Sequence, residues 1–212
     1  MITYLIHYDP FGYAISPVSF VSVGLAAWVY MRGLARSSRI LGRITVWRQV
    51  QFFTGIACLL VATNAPLAPL GHSLFSLHQV EHLLLRLAGP LLFAVSQPWR
   101  ILQAGLAREW RRHLNALGNR GIVRFMAHPA MATALLVAAL YVWQVPVLYG
   151  LAQRVPAIEM LAHLSMVLAG IWYFGMLLNP KDPPDGARRG ARLISGFVVI
   201  VSNIFLGALT TL

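Results

Sequence analysis

Six long apolar stretches, separated by segments rich in arginine, proline or glycine, organise the chain. They run roughly over 13–31, 50–70, 74–97, 128–148, 157–178 and 192–211. An α-helix rises 1.5 Å per residue, so one crossing of a bilayer takes about 20 residues, and each stretch is close to that length. A transmembrane strand is about half as long and alternates apolar with polar positions, which these stretches do not. The pattern predicts an all-α fold: a polytopic membrane helix bundle of about six transmembrane helices, forming one integral-membrane domain over 1–212.

Composition sharpens this reading. The chain is 58% hydrophobic and 11% charged, with a mean hydropathy of +0.67, whereas soluble domains carry about 25% charged residues. The net charge of +11 raises nucleic acid as a partner, but the distribution of charge points elsewhere. Arg32, Arg36, Arg39, Arg43 and Arg48 fill the first connection, and Arg100, Arg108, Arg111, Arg112, Arg120 and Arg124 the third. Lys181, Arg188, Arg189 and Arg192 fill the fifth; the second has no basic residue and the fourth only Arg154. Alternation of this kind places the odd-numbered connections in the cytoplasm, so both termini face outward. The basic loops then meet anionic lipid headgroups, and no nucleic-acid partner is expected.

The amino-terminal segment lacks a basic leader, carries Asp9 and Pro10, and is followed by arginines rather than a small-residue cleavage site. It reads as a first span inserted with its amino terminus outside, not as a signal peptide. Short connections at 66–73 and 149–156 make the helices they join antiparallel neighbours. The long third connection, 97–127, interleaves Trp99, Trp110 and leucines with arginines, the composition of a helix lying in the membrane interface. Gly55, Ala57, Gly89, Ala169, Gly170, Gly196 and Gly207 are small residues within the spans, where they allow close helix approach. Cys58 has no partner for an intramolecular disulfide, and the methionines do not cluster.

The residues with chemistry gather near the outer surface. His78 and His82 are four apart, as are Glu159 and His163, and residues four apart on a helix share a face. Simple rise places His78 about 6 Å, His82 about 12 Å, Glu159 about 3 Å and His163 about 9 Å below that surface. His7 and His72 lie at the mouth on the same side. Imidazoles with a carboxylate suit copper, zinc or iron. The alternative is a polar cluster that stitches the helices together through hydrogen bonds, with Gln144 and Trp143 taking part. Arg86 continues the face of His82 at about 18 Å depth. A lone guanidinium there needs a partner, for which Glu81 and Glu159 are the available carboxylates. Its charge also disfavours a cation beside it.

Several of these segments resemble a known family. Leu77-His-Gln-Val-Glu-His-Leu-Leu-Leu85, then Gly89-Pro-Leu-Leu92 and Gln97-Pro98, is similar to the third span of the CtaG-like cytochrome c oxidase assembly factors. Trp143-Gln-Val-Pro146 with Leu148-Tyr149 resembles that family's Trp-His-x-Pro-x-Leu-Tyr segment. Ala157 to His163, followed by Ala169-Gly170 and Trp172, resembles its His-x-x-Glu-His segment and the run after it. Arg48 to Gly55 and Pro66-Leu67 fit its second span. The resemblance implies a multi-pass protein of the bacterial plasma (inner) membrane that helps to build a haem–copper oxidase. Such a protein is not an enzyme but a metallochaperone, supplying copper from the outer face to a cytochrome c oxidase subunit. It carries the metal-binding role directly onto His78, His82 and His163. Gln144, Glu159, Ala162, Gln79 and Arg86 each depart from the family's residue at their position, Glu159 standing where the segment's first histidine falls. The family pattern also implies a further span beyond Leu212.

Three functions follow from these residues. The first is copper binding by His78, His82, His163 and Glu159, with His7, His72, Gln144, Glu81 and Arg86 as accessory positions. The second is a haem-binding electron carrier with axial histidines on two helices, for which two histidines on one helix are redundant. The third is a scaffold that holds an oxidase subunit through its arginine-rich loops.

Overall fold

Proline opens most of the long helices, because its missing N–H is one of the donors a helix start leaves unbonded anyway. In the computed structural model, residues 17–37, 44–64, 75–118, 121–179 and 187–211 are described. Helix α1 is Pro17–Ser37 and α2 is Val46–Ala62. Helix α3, Phe75–Leu83, passes through a π-helical turn at Leu84–Ala88 into α4, Gly89–Val95. Three short helices follow: α5 (Trp99–Gly105), α6 (Arg108–Gly118) and α7 (Gly121–Met126). Beyond them come α8 (Pro129–Val142), α9 (Pro146–Arg154), α10 (Pro156–Leu177) and α11 (Arg189–Thr211). No strand occurs among the described residues.

Three of these helices are long and apolar enough to cross a membrane: Val18–Arg36, Pro156–Leu177 and Arg189–Ala208. The pair α8 and α9 makes a fourth if read as one span broken by a 73° bend. The outward faces argue for a lipid environment. On α11, Leu193, Phe197, Ile200, Ile204 and Phe205 are exposed, whereas Ser195 and Val199 are buried. A helix that turns its apolar side chains outward and its hydroxyl inward is folded for hydrocarbon rather than water.

The element boundaries differ from the apolar stretches for identifiable reasons. The fourth stretch, 128–148, is not one helix: α8 stops at Val142 and α9 begins at Pro146. Pro146 has no N–H to give the carbonyl of Val142, and its ring clashes there. The expected loop 149–156 is therefore mostly the second half of α9 and the start of α10. The first helix runs on through Arg32 and Arg36, and Arg32 lies 5.1 Å above the Trp28 ring. The third connection holds α5, α6 and α7, of which α6 has no buried residue. The connection at 66–73 lies outside the described residues.

The π-turn and α4 pack against α2 on one side and α10 on the other. Helix α10 in turn packs against α8, and α8 against α11. One core joins Tyr30, Phe52, Ile56, Phe93 and Ile101 of α1, α2, α4 and α5; another joins Ala132, Leu136, Tyr173, Phe174 and Val199 of α8, α10 and α11. The π-turn lies between them. The Gly89 N–H bonds back to the carbonyl of Leu84, one residue further than in an α-helix. Pro90 offers no N–H to the Arg86 carbonyl, and Gly170 of α10 approaches that point. A Cβ on residue 170 would stand 2.5 Å from the Arg86 carbonyl oxygen, so only glycine permits this helix spacing. At Gly196 and Gly207, by contrast, an added Cβ meets nothing within 4 Å. These two glycines do not set a helix contact.

Candidate metal centre

Two helices supply the site, and sequence spacing dictates how. On α3, Glu81 and His82 are adjacent, about 100° apart around the axis, yet both are buried, at 2% and 3% exposure. Both side chains are thus enclosed by the bundle, and Glu81 faces His163 of α10. On α10, Glu159 falls in the first turn, where the helix dipole favours negative charge. His163 follows one turn later on the same face.

Across the α3–α10 interface, His163 Nε2 lies 3.1 Å from Glu81 Oε1. Glu81, Glu159 and His163 each present a ligand-type atom, and these atoms all lie within 4.8 Å of one another. The His82 and His163 rings approach edge to face, with centroids 6.3 Å apart. A small cavity of about 20 Å³ opens beside them, lined by His82, Glu159 and His163 together with Trp143, Tyr149 and Gln153. That volume holds about one water-sized occupant. Helix α9 roofs the cavity: Tyr149 and Gln153 come from it, tied together by a 2.8 Å hydrogen bond from Gln153 Nε2 to the Tyr149 hydroxyl. The bend at Pro146 swings α9 over the site. Trp143 braces the wall by donating from Nε1 to Ser165 Oγ at 2.8 Å, and Ser165 donates in turn to the Ala162 carbonyl.

The donor geometry suits a small cation. Around an ion with bonds of about 2.0–2.2 Å, adjacent ligands stand about 3.0–3.5 Å apart. The Glu81–His163 pair already has this separation. The third atom, on Glu159, needs to close by little more than 1 Å, and Glu159 is only half-buried.

The expected residues thus divide. His163 and Glu159 converge as the sequence predicts, and His82 lines the cavity beside them. Glu81, expected to be accessory, stands at the centre. His78 lies on α3, and its side chain is outside the described residues, as are His7 and His72. Gln144 is half-buried and does not line the cavity; its Nε2 is buried without a hydrogen-bond partner among the described residues. Arg86 pairs with neither carboxylate. Its Nη2 donates to Asn203 Oδ1 of α11 at 3.4 Å, and its Nε and Nη1 are buried with no hydrogen-bond partner among the described residues. Gln153 and Asn203 carry no sequence motif, and Tyr149 belongs to the Leu148-Tyr149 pair without being expected at the site. Asn203, an amide inside an apolar span, is the kind of signal that marks an interhelical contact.

An apolar-faced helical bundle with a carboxylate–imidazole cluster between two of its helices defines the broad class: a helical membrane protein. The pattern of the cytochrome c oxidase caa3 assembly factor family (Caa3_CtaG) matches residues 6–212, nearly the whole chain. The chain belongs to that family. It is also 24% identical over 188 residues to uncharacterised proteins of Mycobacterium leprae, Mycobacterium bovis and Mycobacterium tuberculosis. The match takes in 84% of this chain but 28% of each relative, so the chain spans little more than a quarter of their length. No solved structure matches it.

Proposed function

We propose that this protein is a non-catalytic membrane assembly factor for a haem–copper cytochrome c oxidase. It binds copper near the outer face, as cargo, and passes it to an oxidase subunit. The observation that carries the reading is the convergence of Glu81, Glu159 and His163 within 4.8 Å in a chain of this family. His82, at the cavity wall, is the fourth donor within reach. In this arrangement the protein crosses the plasma membrane six times with both termini outside. The charge alternation supports that topology, as does the continuous helical run of α3, the π-turn and α4 over 75–95. The one-ion cavity under α9, lined by the half-buried Glu159 and His163, favours release of a bound ion over its permanent burial. It also favours copper over the haem alternative, because about 20 Å³ leaves no room for a porphyrin between the two histidines. The arginine-rich α6, with Trp110, Leu114 and Leu117 exposed along one face, lies on the cytoplasmic lipid surface.

Two measurements test this together. Elemental analysis of the purified protein after copper loading gives one ion per chain, falling to none in His163→Ala. A strain lacking the protein has diminished oxidase activity that wild type restores and His163→Ala does not. Restoration by the variant sinks the copper reading and leaves a scaffold.

A further inference from the structure

We infer that this site takes its copper as the divalent ion, copper(II), in preference to copper(I). The inference rests on the reading above that the site binds copper, and it concerns which oxidation state the ligand set selects.

The donors decide the preference. The three converging atoms are two carboxylate oxygens and one imidazole nitrogen, and the further donors at the cavity are the imidazole of His82, the hydroxyl of Tyr149 and the amide of Gln153. Among the described residues, none that lines the cavity carries sulfur. The two methionines nearest in sequence point elsewhere. Met166 is fully buried in a packed cluster with Ala62 and Leu85, and Met160 is exposed on the outside of α10. Cys58 is on α2 and does not line the cavity. Soft thioether and thiolate ligands select copper(I), while carboxylate and imidazole suit harder divalent ions. Charge acts in the same direction. Two carboxylates next to a buried position attract a doubly charged ion about twice as strongly as a singly charged one. Among first-row divalent ions copper(II) stands at the top of the affinity order, so zinc competes but does not displace it at equal concentration.

The test uses the full chain in detergent and measures both oxidation states against competing ligands of known strength. Copper(II) is titrated in the presence of glycine, and copper(I), under reducing anaerobic conditions, in the presence of bicinchoninate. The inference predicts one copper(II) per chain held against glycine, whereas bicinchoninate strips copper(I). The copper(II) paramagnetic resonance spectrum carries imidazole nitrogen coupling that is lost in His163→Ala. Glu81→Gln and Glu159→Gln each weaken copper(II) at least tenfold. Glu159, half-buried at a helix start, is the variant expected to keep the fold if Glu81→Gln does not, and the size-exclusion profile reports this. Copper(I) retained against bicinchoninate while copper(II) is lost to glycine overturns the inference and leaves copper binding standing. Copper(II) affinity within threefold of wild type in Glu159→Gln also overturns it. Binding of neither ion overturns the copper reading itself.

Discussion

Replacing Arg86 by methionine separates the electrostatics of this bundle from its packing. The guanidinium is 6% exposed, and its described hydrogen bond is a long one to Asn203. Its Nε and Nη1 have no partner among the described residues, and each unsatisfied buried donor costs about 1–3 kcal/mol. Methionine has similar length and fills irregular gaps, so the variant removes both penalties while losing a bond worth about 1.5 kcal/mol. The net gain, about 0.5–4.5 kcal/mol, raises Tm by about 2–4 °C for each kcal/mol in a chain of this size. Metal binding responds to the same charge. Arg86 is five residues beyond Glu81, about 7 Å of helix rise, placing its charge about 8–10 Å from an ion at the cluster. At an effective dielectric of about 20, repulsion of a dication at that distance is about 3–4 kcal/mol. Water in the open cavity reduces this, so the expected gain in copper(II) affinity is at least tenfold, a figure that corresponds to about 1.4 kcal/mol. Competition titration and thermal unfolding of the same preparation measure the two effects. A variant with unchanged affinity and a lower Tm refutes the reasoning, because the guanidinium would then be satisfied and too far away to matter.

Three further outcomes follow from the packing. Gly170→Ala brings a methyl group against the Arg86 carbonyl and the Pro90 ring; overpacking of this kind costs about 1–3 kcal/mol, read as a lowered unfolding midpoint in mixed detergent, and an unchanged midpoint contradicts the close α10–π-turn contact. Ser195→Ala removes a buried 2.5 Å hydrogen bond to Thr133 that joins α8 to α11, a loss of about 0.6–1.7 kcal/mol in a membrane bundle, measured by the same assay. An environment-sensitive fluorophore attached through Trp110→Cys, in a Cys58→Ala background, emits to the blue of the same label attached through Arg112→Cys, in nanodiscs containing anionic lipid. Equal emission from the two positions shows that α6 does not rest on the membrane by its Trp110 face.

The all-helical class and three of the spans are legible in the sequence because hydrocarbon-spanning length is a strong local signal. Helices α10 and α11 begin and end within about three residues of the apolar stretches that predict them. What the apolar count cannot register is a proline acting four residues upstream. Pro146 divides the fourth stretch at Val142, and Pro90 accompanies the π-turn at Arg86. The first of these shapes the candidate site, since the bend places α9 over the cavity. At the site, the pair Glu159 and His163 is visible as i, i+4 spacing. Glu81 is not, because its place at the centre depends on which face of α3 meets α10, a tertiary fact. Reading faces along one helix groups His82 with Arg86, yet the packing sends Arg86 toward Asn203 of α11 and leaves His82 at the cavity. The rule that buried charges seek opposite charges predicts a carboxylate partner for Arg86; Glu81 meets His163 instead.

The central claim is that Glu81, Glu159 and His163 form one ion site, and anomalous diffraction at the copper absorption edge from copper-loaded crystals tests it most directly. The account predicts a single strong anomalous peak about 2.0–2.2 Å from both Glu81 Oε1 and His163 Nε2, beneath α9, with Glu159 drawn in to complete the shell. A strong peak elsewhere in the bundle, with the Glu81–His163 contact intact, contradicts it.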